Sequence, residues 1–296
     1  MNHRHSLTFA GAVVVAFIVV VVGATLLAGA GGGFSATDEL STAEFDPSTT
    51  LEDPIPVEGS VEASVEAANR SGTVVIDQGH NNDLERRNLR PLVAALGALN
   101  HSVTIHGPGD NLTEQLSEAS AYVTITPTEP HQPSQIDALE DFTARGGRAL
   151  VVGEPDQIVF SGPFPTQRTV ATTELGARFG FSIDTRYLYN LERNDAIYKH
   201  VIAEPADGAD LEGVDRTTVY TGTAVTASDA QPLLVATEGT TLSDGGKSDE
   251  HVIALRKGNL IVVGDRTFMD DSHHAVADNE DFIAAVVEFL ARGQSA

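Results

Sequence analysis

"TVVIDQGHNN", residues 73–82, runs from apolar to polar within a few positions, ending on an acid, an amide, a glycine, a histidine and two asparagines. A short apolar run that stops so sharply reads as a strand buried on both faces, as in a parallel sheet. The polar residues after it then fall at the strand's carboxyl end, where open α/β sheets hold ligands.

Outward from this stretch the same alternation repeats. Leu84–Leu99 has apolar residues at 89, 92, 93, 96 and 99, which is helical spacing, with Pro91 either kinking the helix or marking its first turn. Val103–Ile105 reads as a strand, Leu112–Ala119 as a short helix and Tyr122–Ile125 as a third strand. Ser134 is placed to cap a helix carrying Ile136, Leu139 and Phe142 on one face and stopping at Gly146-Gly147, before a strand at Ala149–Val152. Strands alternating with helices imply right-handed βαβ crossovers and a parallel sheet. Thr172–Phe179 reads as one more helix. Residues 184–250 hold short β-like runs among Asp, Gly and Thr and read as an antiparallel insertion. Lys257-Gly258-Asn259 reads as a hairpin turn returning to the sheet, and Asp281–Arg292 as a closing amphipathic helix.

Charge and composition narrow the function. Forty-two acidic residues against 18 basic give a formal net charge of -24, and Lys199, Lys247 and Lys257 are the only lysines. Such a surface suits molar salt, where the Debye length is roughly 3 Å, and points to a halophilic source; an ordinary acidic protein is the plainer reading. Nucleic acid is excluded as a partner, because that affinity comes from neutralising phosphates. The chain has no cysteine, so disulfides, thiolate metal sites and a cysteine nucleophile are excluded.

The N-terminus carries an address. Residues 7–30, "LTFAGAVVVAFIVVVVGATLLAGA", contain no charge, and about 20 such residues span a bilayer core. Signal-peptide cores run to only about 7–15 residues, so an uncleaved anchor is expected. Arg4 precedes the span, and Asp38 and Glu39 follow it, which leaves residues 1–6 as a cytoplasmic tail and the C-terminal domain extracellular. Residues 31–71 read as a flexible acidic linker and 72–296 as the α/β domain.

Three blocks, "GTVVIDQGHNN", "PSQIDALEDFTARGGRALVVGEP" and "NLIVVGDRTFMDDSHHAVADNEDFIAAVVEFL", resemble a prokaryotic membrane-anchored family known as a domain of unknown function, number 4350. The resemblance covers roughly residues 73–293. It implies a flavodoxin-like, class I glutamine amidotransferase-like sheet, mostly parallel, with helices on both faces. The nucleophilic cysteine of those amidotransferases sits in a turn that here corresponds to Gly153-Glu154-Pro155, which has none. The resemblance therefore argues against amidotransferase chemistry and implies a companion role in a membrane-associated complex, such as one built on an AAA-type ATPase.

The candidate ligand-binding residues lie at three strand ends: Asp77, Gly79, His80, Asn81 and Asn82 after the first; Glu154 after the fourth; and Asp265, Arg266 and Asn279 after the last, with Arg86 on the first helix to hold an anion. "QGHNN" reads either as a pocket floor or as a capping loop in which Asn82 or Asp83 caps the helix and Gly79 supplies positive φ. "DDSHH", 270–274, has the donors of a metal site or is an exposed acidic loop; neighbouring histidines rarely share one ion. Asp278 or Asn279 reads most simply as an N-cap. No cofactor, metal or catalytic template is assigned. The expected function is a non-catalytic, membrane-anchored ligand- or partner-binding domain. The alternatives are a hydrolase using Asp77, His80, Glu154 and Asp265, and a structural envelope component.

Overall fold

In the first half, β1 (Thr73–Asp77), α1 (Arg86–Ala98), β2 (Ser102–His106), α2 (Leu112–Glu118), β3 (Ala121–Ile125), α3 (Pro133–Ala144) and β4 (Arg148–Val152) follow in strict alternation. β1 pairs in parallel with β2 and β3, and β3 with β4. The pleat divides each apolar run between two cores. Val74, Ile76, Val123 and Leu150 face Leu89, Leu92 and Leu96 of α1. Val75, Tyr122, Ala149 and Val151 face Leu112, Leu116, Leu139 and Phe142 of α2 and α3. Burial on both sides is why these strands read as continuous rather than alternating.

The computed structural model describes residues 61–63, 71–82, 84–159, 164–245 and 250–295. The expected span at 7–30 and most of the 31–71 linker lie outside the described residues. Among those described, no helix is long and apolar enough to cross a membrane.

The second half is mainly β. β5 (Gln157–Val159), β6 (Thr166–Arg168), α4 (Thr173–Phe179), β7 (Phe181–Tyr189), β8 (His200–Pro205), β9 (Thr217–Tyr220), β10 (Thr223–Ala227), β11 (Gln231–Ala236), β12 (Thr241–Leu242), β13 (Val252–Lys257) and β14 (Leu260–Val263) lead through a 3-10 turn to α5 (Asn279–Ala291). The nine-stranded sheet runs β2-β1-β3-β4-β14-β13-β11-β8-β9. β14 is parallel to β4, and each later pairing is antiparallel. The antiparallel strands expected at 184–250 are present, but they do not form a separate insertion. β8, β9 and β11 widen the main sheet, whereas β7, β10 and β12 make a three-stranded sheet of their own. The expected hairpin forms, with Lys257 opposite Leu260 and Gly258 at φ +59°.

Two helix starts differ from expectation. The α1 cap is Glu85, whose amide donates to Asn88 Oδ1 at 2.8 Å, so Asn82 does not cap this helix; Asp83 lies outside the described residues. The α3 cap is Gln132 rather than Ser134: Pro133 occupies the first turn and the Gln132 amide donates to Gln135 Oε1 at 2.7 Å. Pro91 lies inside α1 and has no amide for the Arg87 carbonyl one turn back. The Asp271 amide donates to that carbonyl instead, at 3.1 Å, tying α1 to the loop after β14.

Candidate functional site

The chain leaves β1 for β2 on one side and returns to β3 on the other. The loops after β1 and β3 therefore diverge at their carboxyl ends, where doubly wound sheets open a crevice. In this protein the crevice is filled by its own side chains. Asp77, fully buried at the end of β1, receives Thr124 Oγ1 at 2.8 Å and the Gly79 amide at 3.0 Å. His80 Nδ1 lies 2.9 Å from both Asp77 oxygens, and His80 Nε2 lies 3.1 Å from Gln135 Oε1. His131 stacks on His80 with centroids 3.7 Å apart, and its Nε2 meets Tyr122 Oη at 2.8 Å. Asn82 Nδ2 donates to the Ile125 carbonyl at 3.0 Å, while the Thr128 and Glu129 amides both donate to the His80 carbonyl.

The electrostatics follow from this packing. Burial would raise the Asp77 carboxyl, but the hydrogen bond and charge of His80, with help from His131 and Thr124, bring it down to about 2. Burial pushes the His80 imidazole down, and the Asp77 carboxylate outweighs it and leaves it raised. Burial and the neighbouring His80 push His131 down to about 4. Of the two stacked rings, His80 is shifted toward its protonated form and His131 toward its neutral one.

Two details of the "QGHNN" reading change. The left-handed residue is Asn81, at φ +52°, and not Gly79. Gly79 is required for space: a Cβ there would come 2.8 Å from His106 Cδ2. Asn81 is exposed and donates to Thr128 Oγ1 at 2.8 Å, and Arg86 is exposed. Outside the filled crevice lies a shallow pocket of about 420 Å³, lined by Gln78, Gly79, Asn81, Asn82, Leu84, Pro108 and Glu129.

The remaining nominated residues belong to other groups. Arg266 Nε donates to the buried Glu154 at 3.1 Å, beyond β4 and β14. Asp265 and Asn279, both fully buried, serve the edge strand β9. The Tyr220 amide donates to Asp265 Oδ2 at 3.1 Å and the Thr218 amide to Asn279 Oδ1 at 3.0 Å. Asn279 Nδ2 returns a bond to the Thr218 carbonyl at 3.1 Å. The Asp215 and Arg216 amides donate to Asp278 Oδ2. Asp278 is the N-cap residue of α5, as expected, but neither it nor Asn279 makes the expected side-chain cap bond. In "DDSHH", His273 packs on the Tyr220 ring while His274 Nδ1 turns back to the Asp271 carbonyl, so the two rings do not converge.

Burial lifts the Glu154 carboxyl to about 7, with Asp265 adding to the rise and Arg266 opposing it. Complete burial lifts Asp265 to about 6 against hydrogen bonds from Thr267 and Tyr220. Both folded values lie above the unfolded ones. The stability they contribute is full below about pH 4 and is lost as the pH rises to about 7. At about 1.4 kcal/mol per pH unit, Glu154 accounts for up to about 3 kcal/mol. Glu154→Gln is expected to bring denaturation midpoints at pH 5 and pH 8 closer together; an unchanged gap between them would refute this assignment.

Sequence reading missed five members of the cluster: His106, His131, Tyr122, Thr124 and Gln135. One signal was available for His106. β1 and β2 read "TVVID" and "SVTIH", each ending on a polar residue, and the parallel register sets Asp77 opposite His106.

Fold and site together define a mixed α/β domain with a largely parallel central sheet and an interlocked polar cluster at its switch point. The chain belongs to the family described as "Domain of unknown function (DUF4350)", whose model matches residues 89–287. No curated protein shows a significant sequence match. Among solved structures, the "mmIFT52 N-terminal domain" is similar in fold, with TM-score 0.58 and 15% identity over 75% of this chain and 98% of that one. A ThuA-like protein from Parabacteroides merdae aligns at TM-score 0.45 and 9% identity, over 75% of this chain and 90% of that one. An exo-β-1,4-mannosidase from an Opitutaceae bacterium aligns at TM-score 0.41 and 14% identity, over 76% of this chain and 37% of that one.

Proposed function

We propose that this is a single-pass, N-in membrane protein of a halophile, whose flavodoxin-like outer domain binds a protein partner and carries out no chemistry. One observation carries the partner-binding reading. Among the described residues, five of the six exposed large apolar side chains, Ile158, Phe164, Leu191, Ile197 and Tyr198, lie on connections at the carboxyl end of the parallel strands. Ile158, in β5, and Phe164 lie on the stretch between β4 and α4. Leu191 to Tyr198 lead into β8, whose first residue pairs with Tyr220 beside Asp265. Exposed apolar side chains gathered at one end of an otherwise acidic domain are the mark of an interaction surface. The crevice after β1 and β3 is occupied by the protein's own side chains, which disfavours a small-molecule ligand there. Both nitrogens of His80 are engaged, which disfavours a role for it as a general base in the hydrolase alternative.

The test uses the full chain in native membranes. Phe164→Asp combined with Leu191→Asp is expected to leave the melting temperature unchanged and to abolish co-purification of the wild-type partner. Retention of the same complex by the variant would point to the structural envelope role instead. Turnover on a hydrolase panel, lost in His80→Gln, would establish the enzyme alternative. Protease protection on intact cells checks the orientation.

A further inference from the structure

The cluster at the ends of β1 and β2 contains a donor set that also suits a metal ion. The loop after β1 folds back so that one ligand atom from each of Asp77, His80 and His106 lies within 4.8 Å of the others. The three residues are 0%, 5% and 1% exposed. The outer nitrogen of each imidazole faces a glutamine carbonyl oxygen: His80 Nε2 meets Gln135 Oε1 at 3.1 Å, and His106 Nδ1 meets Gln115 Oε1 at 2.8 Å.

Both glutamines are held in that orientation by independent bonds. Gln135 Oε1 also accepts from the Gln132 amide at 2.7 Å, and Gln115 Nε2 donates to Asp110 Oδ2 at 3.4 Å. An amide oxygen only accepts, so the imidazole nitrogen facing it carries the hydrogen. His80 Nδ1 shares a hydrogen with the Asp77 carboxylate, which a metal ion would displace; with that hydrogen gone, the lone pairs of His80 Nδ1 and His106 Nε2 turn toward the Asp77 side of the cluster. An outer-shell carbonyl on each imidazole is how proteins orient metal-ligating histidines. Beside His106 Nε2 stands Gly79, where a Cβ would intrude to 2.9 Å.

We propose that Asp77, His80 and His106 bind one divalent transition-metal ion of the zinc class, with Gln135 and Gln115 as outer-shell acceptors. Two imidazoles and a carboxylate match that class of ion. The burial of the donors closes the ion off from substrate. Its role is to lock the loop after β1 onto β2, separately from the surface assigned to the partner on the connections after β4 and before β8. The inference does not depend on that assignment, because metal binding is read without any partner.

The experiment titrates the full chain, purified in detergent and stripped with EDTA, with Co²⁺ and then Zn²⁺. One Co²⁺ per chain is expected, with visible d–d absorption that Zn²⁺ abolishes and a raised melting temperature. His106→Gln should weaken binding by more than about 100-fold, and Gln115→Leu, which leaves all three ligands in place, by about 10–100-fold. Both variants keep His3, His5, His273 and His274, so metal held by those residues would survive both changes. Equal binding by wild type and variants, or no cobalt bound by the folded wild type, would overturn the proposal. If His106→Gln fails to fold, Gln115→Leu carries the decision alone.

Discussion

Asp77→Ala should lower stability by about 3–5 kcal/mol, the usual loss when one partner of a buried charged pair is removed. For a domain of this size that corresponds to a fall in melting temperature of about 10 °C or more. The physical reason is the number of groups left without a partner. The Thr124 hydroxyl, the Gly79 amide and His80 Nδ1 all lose their acceptor at once, in a region closed to water. Without the Asp77 carboxylate the influence that raises His80 is gone, and burial is left to push the imidazole down. The measurement is urea unfolding in EDTA, so that hydrogen bonds alone are read. A double-mutant cycle with His80→Gln should show a combined loss well short of the sum, because the first substitution already removes what the second would break. Additive losses, or a cost for Asp77→Ala below about 1 kcal/mol, would show that the cluster is not the unit described.

Phe142→Ala is the second large effect, also about 3–5 kcal/mol, from lost transfer energy and the cavity left behind. Phe142 is fully buried on the inner face of α3. Its ring lies where a Cβ on Gly147 would stand, only 2.4 Å away, so ring and glycine fit as a pair. Gly147→Ala should therefore destabilise the wild type through overpacking, and the same change should cost much less in a Phe142→Ala background. Equal costs for Gly147→Ala in the two backgrounds would show that the ring is free to move aside.

Phe142 also illustrates what sequence can convey. Its place on the inner face followed from helical spacing with Ile136 and Leu139, a local pattern. The parallel strands were legible for the same reason, since burial on both sides leaves an unbroken apolar run. The helix caps were misjudged because Ser134 and Asn82 are good capping types, whereas a proline in the first turn and amide side chains at Asn88 and Gln135 decided the outcome. Strands β8, β9 and β11 were only partly visible: they are short, and their pairing is set by contacts far away along the chain. The polar residues at the strand ends were found as a set but not as groups. Asp77 with His80, Glu154 with Arg266, and Asp265 with Asn279 look alike in sequence, and only the sheet order separates them. His131 and Tyr122 carried no signal, because a histidine after a loop proline and a tyrosine in a strand are ordinary occupants of those positions.

The treatment of β9 has a consequence for assembly. It is the last strand of the sheet, and the amides of Arg216, Thr218 and Tyr220 point away from β8. Each is met by a side-chain oxygen, from Asp278, Asn279 and Asp265 in turn. A terminal strand with bare amides is a template on which another extended chain can polymerise. Here three side chains imitate that missing neighbour, so the sheet cannot propagate into a fibre or recruit a foreign strand from this border.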